Sequence, residues 1–395
     1  MKTKKLGQKT LGLATVGAIG IASVVQAEEK PSTVMTALAS TTLSGYVDTS
    51  AQWNLGTGNA NTPAYLFGGP SKADGFNLNV VKLLLERPAD LSDSWGAGYK
   101  VDLLFGPDAN PYFTQSSGVL ADFAVKQAYI DLKVPIANGV EFKIGVWDTI
   151  LGYEVFETPV NPNFTRSYGY TIEPATFTGL LAIYNVTEFI SVAGGVANTL
   201  SSTINSRAFP IRAESYKAYL ADISLTAPNN WGWAAGSTLY GAVVNGFNPA
   251  SAANGLQPAD QTSVYVGGTL TTPWKPLKVG AAYDYAAVGA QAISRSGYAN
   301  ALGLYVNYQI TEKLAFNGRG EWFTQSKANA ASGLPSKVLA LTGTLQYDLW
   351  KNVLSRLELR WDHSADGSVA YGGTTAGEPD RKNAYEVIAN IIYKF

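Results

Sequence analysis

Apolar and polar residues alternate with a period of two through most of this chain, in segments long enough to cross a bilayer. About sixteen such segments fall at roughly 43–55, 76–87, 95–106, 122–133, 140–147, 176–185, 189–198, 218–227, 233–244, 262–272, 277–287, 299–310, 314–324, 338–348, 353–362 and 384–395. Most span about 10 to 12 residues, as a tilted membrane strand requires, whereas globular strands centre near 5 or 6. The connections alternate strictly. Seven are short, at 88–94, 135–139, 186–188, 228–232, 273–276, 311–313 and 349–352, and the eight between them are long. An even-numbered barrel with short periplasmic turns and long extracellular loops sorts its connections this way, and a soluble sandwich has no reason to. The expected fold is therefore all-β: a transmembrane antiparallel up-and-down β-barrel of about sixteen strands.

Polarity within the segments agrees. In the first, Leu43, Val47, Ala51 and Trp53 share one face, and Ser44, Asp48, Ser50, Gln52 and Asn54 the other. In 353–362 the outward set is Val353, Leu357, Leu359 and Trp361, while Arg356, Glu358, Arg360 and Asp362 point inward. Other clear segments send Lys100, Asp102, Asp131, Lys133, Glu141, Lys143, Asp222, Lys278, Asp284, Arg319, Glu321, Asp348, Glu386 and Lys394 inward. Lys126 alone is assigned to the lipid face, near the outer rim. Segments 76–87, 176–185 and 233–244 choose no face. Such an interior implies water.

Aromatic residues gather at both ends of the segments. Trp95, Trp231, Trp233, Trp274 and Trp350 sit at the short turns, and Trp53, Phe105, Tyr285, Trp322 and Trp361 toward the long loops. Amphipathic rings favour the boundary between hydrocarbon and water. In the last segment Tyr385, Val387, Ala389, Ile391, Tyr393 and Phe395 share the lipid face, opposite Glu386, Asn390 and Lys394 with Ile388 and Ile392 as apolar guests. Tyr393 and Phe395 are the expected membrane-insertion signal.

Residues 1–27 have the pattern of a secretory signal: Lys2, Lys4, Lys5 and Lys9, then a short apolar run, then Val25-Gln26-Ala27. The expected organisation is a signal peptide at 1–27, a short periplasmic segment at 28–40 and the barrel at 41–395, in the outer membrane of a Gram-negative bacterium. Removing the signal leaves 25 basic against 30 acidic residues. That mild acidity argues against nucleic acid as a partner. Cysteine is absent and His363 is the only histidine, so no thiolate or imidazole cluster can hold a metal, and only oxygen ligands among the loops remain for a cation such as Ca²⁺. No catalytic, cofactor or metal residues are assigned. Asp362, His363 and Ser364 are triad residue types, but neighbours on a strand point to opposite faces.

Sixteen to eighteen strands leave room for an aqueous channel. The longest connection, 148–175, would narrow that channel if it folded inward. Its constriction candidates are Asp148, Tyr153, Glu154, Glu157, Arg166 and Tyr168. The wall candidates are Lys100, Asp102, Arg319, Glu321, Arg356, Glu358 and Arg360. Free acids at a constriction would tilt the pore toward cations.

Gly145-Val-Trp-Asp-Thr-Ile-Leu-Gly152-Tyr153-Glu154, then Asn161-Pro-Asn163-Phe-Thr165-Arg166-Ser167, then Pro174 to Gly179, resemble the OmpL-like β-barrel porin-2 family of bacterial outer-membrane proteins. Thr165 stands where that family usually has Ser, and Val146 where a basic residue is common. The resemblance implies a pore-forming protein and brings no agreed substrate. The leading expectation is a water-filled channel for passive diffusion of small hydrophilic solutes or ions. A substrate-specific channel and a plugged structural or adhesive barrel are the alternatives. Lipid and solutes are the expected partners, with a homotrimer by analogy to other sixteen-strand porins.

Amino-terminal sequencing of protein extracted from the cell envelope is expected to begin at Glu28 or within a few residues of it. An intact Met1 would refute the cleavage.

Overall fold

The structure, a computed structural model, describes residues 34–35, 41–56, 58–89, 95–115, 121–249, 258–289, 296–326 and 335–395. The signal segment expected at 1–27 lies outside the described residues. A two-residue strand, β1 (Val34–Met35), pairs with Leu43 and Thr42. Sixteen strands follow: β2 (Thr42–Asn54), β3 (Gly75–Arg87), β4 (Gly96–Phe105), β5 (Phe123–Val134), β6 (Val140–Asp148), β7 (Thr176–Asn185), β8 (Ile190–Ala197) and β9 (Ala218–Thr226). The second half comprises β10 (Thr238–Phe247), β11 (Asp260–Thr271), β12 (Leu277–Val288), β13 (Gly297–Gln309), β14 (Leu314–Gln325), β15 (Lys337–Trp350), β16 (Val353–Ser364) and β17 (Asn383–Lys394). Each pairs antiparallel with its sequence neighbour, and β17 pairs with β2, from Glu386 opposite Asn54 to Lys394 opposite Tyr46. The barrel is closed. Gly45 and Phe395 exchange both backbone hydrogen bonds at 3.0 Å, which carries the seam to the last residue.

Fifteen of the sixteen expected segments match a strand within a few residues at each end. The exception is 233–244. There the chain leaves β9 and makes a 3₁₀ turn over Asn229–Ala234, and β10 starts only at Thr238. The short turn expected at 228–232 is thus longer, and Trp231 and Trp233 stand on it about half exposed.

Facing follows the expected alternation except where a bulge inserts a residue. In β3, Val80 lies opposite Asp48 and Leu78 opposite Thr49, so Asn79 is extra. Before the bulge Phe76 and Leu78 face outward; after it Val80 and Lys82 are buried inside. That change of phase is why 76–87 showed no consistent face. A second bulge corrects Lys126. Gln127 lies opposite Asp102 and Val125 opposite Leu103, so Lys126 is the extra residue and turns into the barrel, fully buried.

The other ambiguous strands have a different cause. On β7 to β11 the inner wall is itself apolar: Leu181, Ile183, Ala193, Leu220, Tyr240, Ala242 and Val244 are buried there. With both faces apolar, alternation disappears from the sequence. The strands β14 to β17 instead send Arg319, Glu321, Arg356, Glu358, Arg360, Asp362 and Glu386 inward, all buried.

Leu357 lies on the outer face of β16, 51 % exposed, next to inward-facing Arg356. Leu357→Arg is expected to cost about 2 to 4 kcal/mol in a bilayer, the cost of a basic side chain near the midplane. A chemical-denaturation midpoint in liposomes equal to that of the wild type would show the facing to be wrong.

Candidate functional site

The segment between β6 and β7 folds into the barrel, and the inner wall is built to hold it. Glu358, fully buried, accepts hydrogen bonds from the backbone N–H of Phe164 (2.6 Å) and Thr165 (2.9 Å), and from the hydroxyls of Thr165 (2.6 Å) and Thr344 (2.7 Å). Arg319 donates to Glu154 (2.8 Å) and the Thr165 carbonyl (2.6 Å), with Glu321 at 2.7 Å. Arg356 donates to the carbonyls of Thr158 (2.9 Å) and Asn161 (2.7 Å), and Arg360 to that of Arg166 (2.8 Å). The Tyr168 hydroxyl donates to Asp362 at 2.6 Å and its N–H to Glu321 at 2.6 Å. Guanidinium groups suit this work because their several fixed donors can meet backbone carbonyls while pairing with carboxylates.

The Asn-x-Asn-x-Thr-Arg-Ser run is what shapes the loop for docking. The Asn161 side chain accepts from Val155 N–H at 2.9 Å and donates back to its carbonyl at 2.5 Å. Asn163 donates to the Thr344 hydroxyl at 2.7 Å. Arg166 donates to the carbonyls of Phe156 (2.6 Å) and Phe164 (2.8 Å), its guanidinium 5.7 Å from the ring centres of Phe67 and Tyr170. Ser167 caps the one-turn helix α1 (Tyr168–Ile172), accepting from Tyr170 N–H at 3.0 Å. Gly152, at φ +108°, turns the chain so that Tyr153 stacks on Tyr305 with ring centres 4.0 Å apart. The apolar start of the loop, Ile150 and Leu151, packs with the apolar wall of β7 to β11. Loop and wall are both two-sided, and they match.

The expected wall residues Arg319, Glu321, Arg356, Glu358 and Arg360 all contact the loop. Of the constriction candidates, Tyr153, Arg166 and Tyr168 are buried in its anchorage, whereas Asp148, Glu154 and Glu157 border a cavity of about 210 Å³. That cavity lies between the loop and the wall of β4 to β7, where it meets Lys100, Gln127, Lys143 and Trp147. The bordering acids are not free charges. Lys126 pairs with Asp148 and lies 3.1 Å from Glu157, Lys82 pairs with Glu157 and lies 2.8 Å from Asp102, and Glu154 is held by Arg319. Burial favours a neutral Glu157, yet Lys126 and Lys82 hold its carboxyl well below the ordinary range. Glu173 goes the other way: burial, with Asp284 beside it, pushes its carboxyl well up. The cation tilt expected from the loop acids therefore loses its basis.

Lys126 reads as lipid-facing in the sequence because it is itself the extra residue of one bulge, and Lys82 shows no face because the bulge at Asn79 reverses the phase of its strand. The part of loop 56–75 that enters the barrel gave no signal at all. Tyr65 lies under Arg360, 3.9 Å from ring centre to guanidinium, and donates to Glu386 at 2.8 Å. Phe67 packs with Tyr112 and Phe156.

Residues 40–395 match the family model described as "Putative beta-barrel porin-2, OmpL-like". Among solved structures the chain resembles an anion-selective porin from Comamonas acidovorans (TM-score 0.59, 14 % identity, 90 % of this chain and 99 % of that one). It also resembles the outer-membrane channel DcaP of Acinetobacter baumannii (0.59, 13 %, 90 % and 97 %) and a trimer form of OmpT from Vibrio cholerae (0.57, 12 %, 90 % and 99 %). At these identities the likeness is one of fold. No curated protein is similar in sequence.

Glu358→Ala removes a charged acceptor of four hydrogen bonds, each worth about 1.5 to 3 kcal/mol. The variant is expected to expose the bond after Arg166 to trypsin while the barrel stays folded. Resistance equal to that of the wild type would mean that Glu358 does not hold the loop.

Proposed function

The chain belongs to the OmpL-like β-barrel porin-2 family and is a porin-like channel of the outer membrane; from that premise we propose that loop 148–175 narrows its pore and that small hydrophilic solutes and ions diffuse past the loop along β4 to β7. The observation that carries this reading is the cavity that remains beside the docked loop. The loop is fastened to β14–β16 by Arg319, Arg356, Glu358 and Arg360, while the cavity of about 210 Å³ opens on the opposite side. Lys100, Lys143, Asp148, Glu154 and Glu157 then border the path, and Tyr153, Arg166 and Tyr168 keep the loop rigid beside it. In planar bilayers the wild type is expected to give discrete conductance steps, larger and noisier in Glu358→Ala. Absence of any step would favour a plugged barrel, and equal steps in both proteins would put the loop outside the path.

Selectivity is proposed to depend on Lys126, which neutralises Asp148 and Glu157 together. Lys126→Met frees Asp148 and leaves Glu157 to Lys82 alone, within a Debye length of passing ions, about 8 Å in physiological salt. Its reversal potential under a salt gradient is expected to shift toward cations, and Glu154→Gln/Glu157→Gln away from them. Unmoved potentials in both variants would remove these residues from the constriction. The signal peptide at 1–27 and a homotrimer belong to the same proposal; the trimer rests on analogy with the trimer form of OmpT. A monomer mass by sedimentation in density-matched detergent would exclude it.

A further inference from the structure

We propose that the connection between β2 and β3 is a second narrowing element of the pore, in which Leu66 borders the path as a specificity-determining residue and Asn61 positions it; this rests on reading the cavity of about 210 Å³ as the path. Leu66 lines that cavity, although it belongs to a different loop from 148–175. Its neighbours hold it there. The Tyr65 hydroxyl donates to Glu386 at 2.8 Å, and the Leu66 N–H donates at 3.0 Å to the hydroxyl of Thr171, on the loop between β6 and β7. Phe67 packs against Tyr112, Phe156 and Tyr170, with ring centres 6.4, 5.4 and 6.1 Å away. Its φ of +68° is one that a bulky side chain rarely adopts. Strain of that kind persists only where the surroundings over-determine it, and it gathers at clamps.

The other end of the segment is fastened outside the strand ladder. Asn61 and Gly372, the latter on the loop between β16 and β17, exchange backbone hydrogen bonds at 3.1 and 2.8 Å, and the Ala60 N–H donates to the Gly373 carbonyl at 3.1 Å. The Asn61 side chain donates to the carbonyls of Gly372 (2.8 Å) and Thr375 (3.0 Å) and accepts from the Gly377 N–H (2.8 Å). Every polar group of Asn61 is thus engaged in that clasp. The receiving loop is itself braced, by the pairing of Tyr371 with Arg381 and by Asp380, which accepts from the Gly373 N–H at 2.7 Å. With the clasp on one side and Thr171 on the other, a stretch of five residues, at most about 18 Å long, has little freedom to withdraw.

What Leu66 contributes follows from its side chain. An aliphatic group beside a water-filled passage offers neither charge nor hydrogen bond, so it narrows the passage and makes it harder to wet without binding an ion. The charged groups of the same cavity, Lys100, Lys143 and Glu157, act on the charge of a passing solute; Leu66 acts on its size. Because Leu66 hangs from the clasp, the bore beside it depends on a contact between the long loops that follow β2 and β16.

The chain has no cysteine, so Leu66→Cys carries a single thiol. The test follows planar-bilayer current through the refolded variant while charged methanethiosulfonate reagents, sulfonatoethyl and trimethylammonioethyl, are added. Both are expected to lower the conductance in steps that dithiothreitol reverses, and to shift the reversal potential in opposite directions. In Asn61→Ala/Leu66→Cys the modification is expected to run severalfold faster at an unchanged unfolding temperature. Leu66→Ala and Leu66→Trp, which need no labelling, are expected to raise and to lower the wild-type conductance. Unchanged current after complete modification, or no modification in a conducting channel, puts Leu66 outside the path and overturns the proposal. Equal conductance in Leu66→Ala and Leu66→Trp overturns it likewise if Leu66→Cys does not fold, and equal modification rates overturn the role of Asn61. Each of these results leaves a conducting wild type, whereas a wild type without steps fails the pore reading itself and this proposal with it.

Discussion

Hydrocarbon offers no partner to a peptide group, and this barrel is arranged around that fact. Every spanning N–H and C=O must be met by a neighbouring strand, so an open edge is not available. The β17–β2 seam is the solution here. It joins the first and last spanning strands, and the Gly45–Phe395 exchange extends it one pair further. Closure places one face of every strand in lipid and the other in an enclosed space. That enclosed space is then free to collect the charged groups that the outer face cannot hold.

Those charges do more than keep the interior wet. Arg319, Arg356 and Arg360 each meet a backbone carbonyl of one internal segment, and Glu358 meets two of its N–H groups. A loop inside a barrel has the same problem as a strand in lipid: its peptide groups need partners. The side chains of β14–β16 supply them in place of a neighbouring strand. Buried ion pairs are weak stabilisers by themselves, but a network that also satisfies backbone groups specifies a single position for the loop.

Much of this was legible in the sequence. Strand number, loop sorting and the inward rank of Arg356, Glu358, Arg360 and Asp362 all follow from alternation, because a strand with one wet and one lipid face writes its structure into every second residue. What escaped has particular causes. Asn79 and Lys126 are single extra residues that reverse the phase of a strand, and no local composition announces a bulge. Leu181 and Ile183 face inward onto an apolar part of the loop, so their strand shows two similar faces. Tyr65 reaches Glu386 across more than three hundred residues of chain, a separation that periodicity cannot see. At the loop, the types of residue were readable, but their pairing was not. Asp148 and Glu157 look like free acids until the bulge at Lys126 brings its amine between them.

The docking of the loop also fixes an order of assembly. Tyr168 and Asp362 are 194 positions apart, as are Arg166 and Arg360. When the chain is threaded from its amino-terminal side, the loop exists long before the wall that receives it. Contacts so distant in sequence carry a large loop-closure entropy and form late, and those of the β17–β2 seam are more distant still. The loop can therefore be pinned only once β14–β16 are in place, and a chain halted before them would carry its narrowing element unanchored.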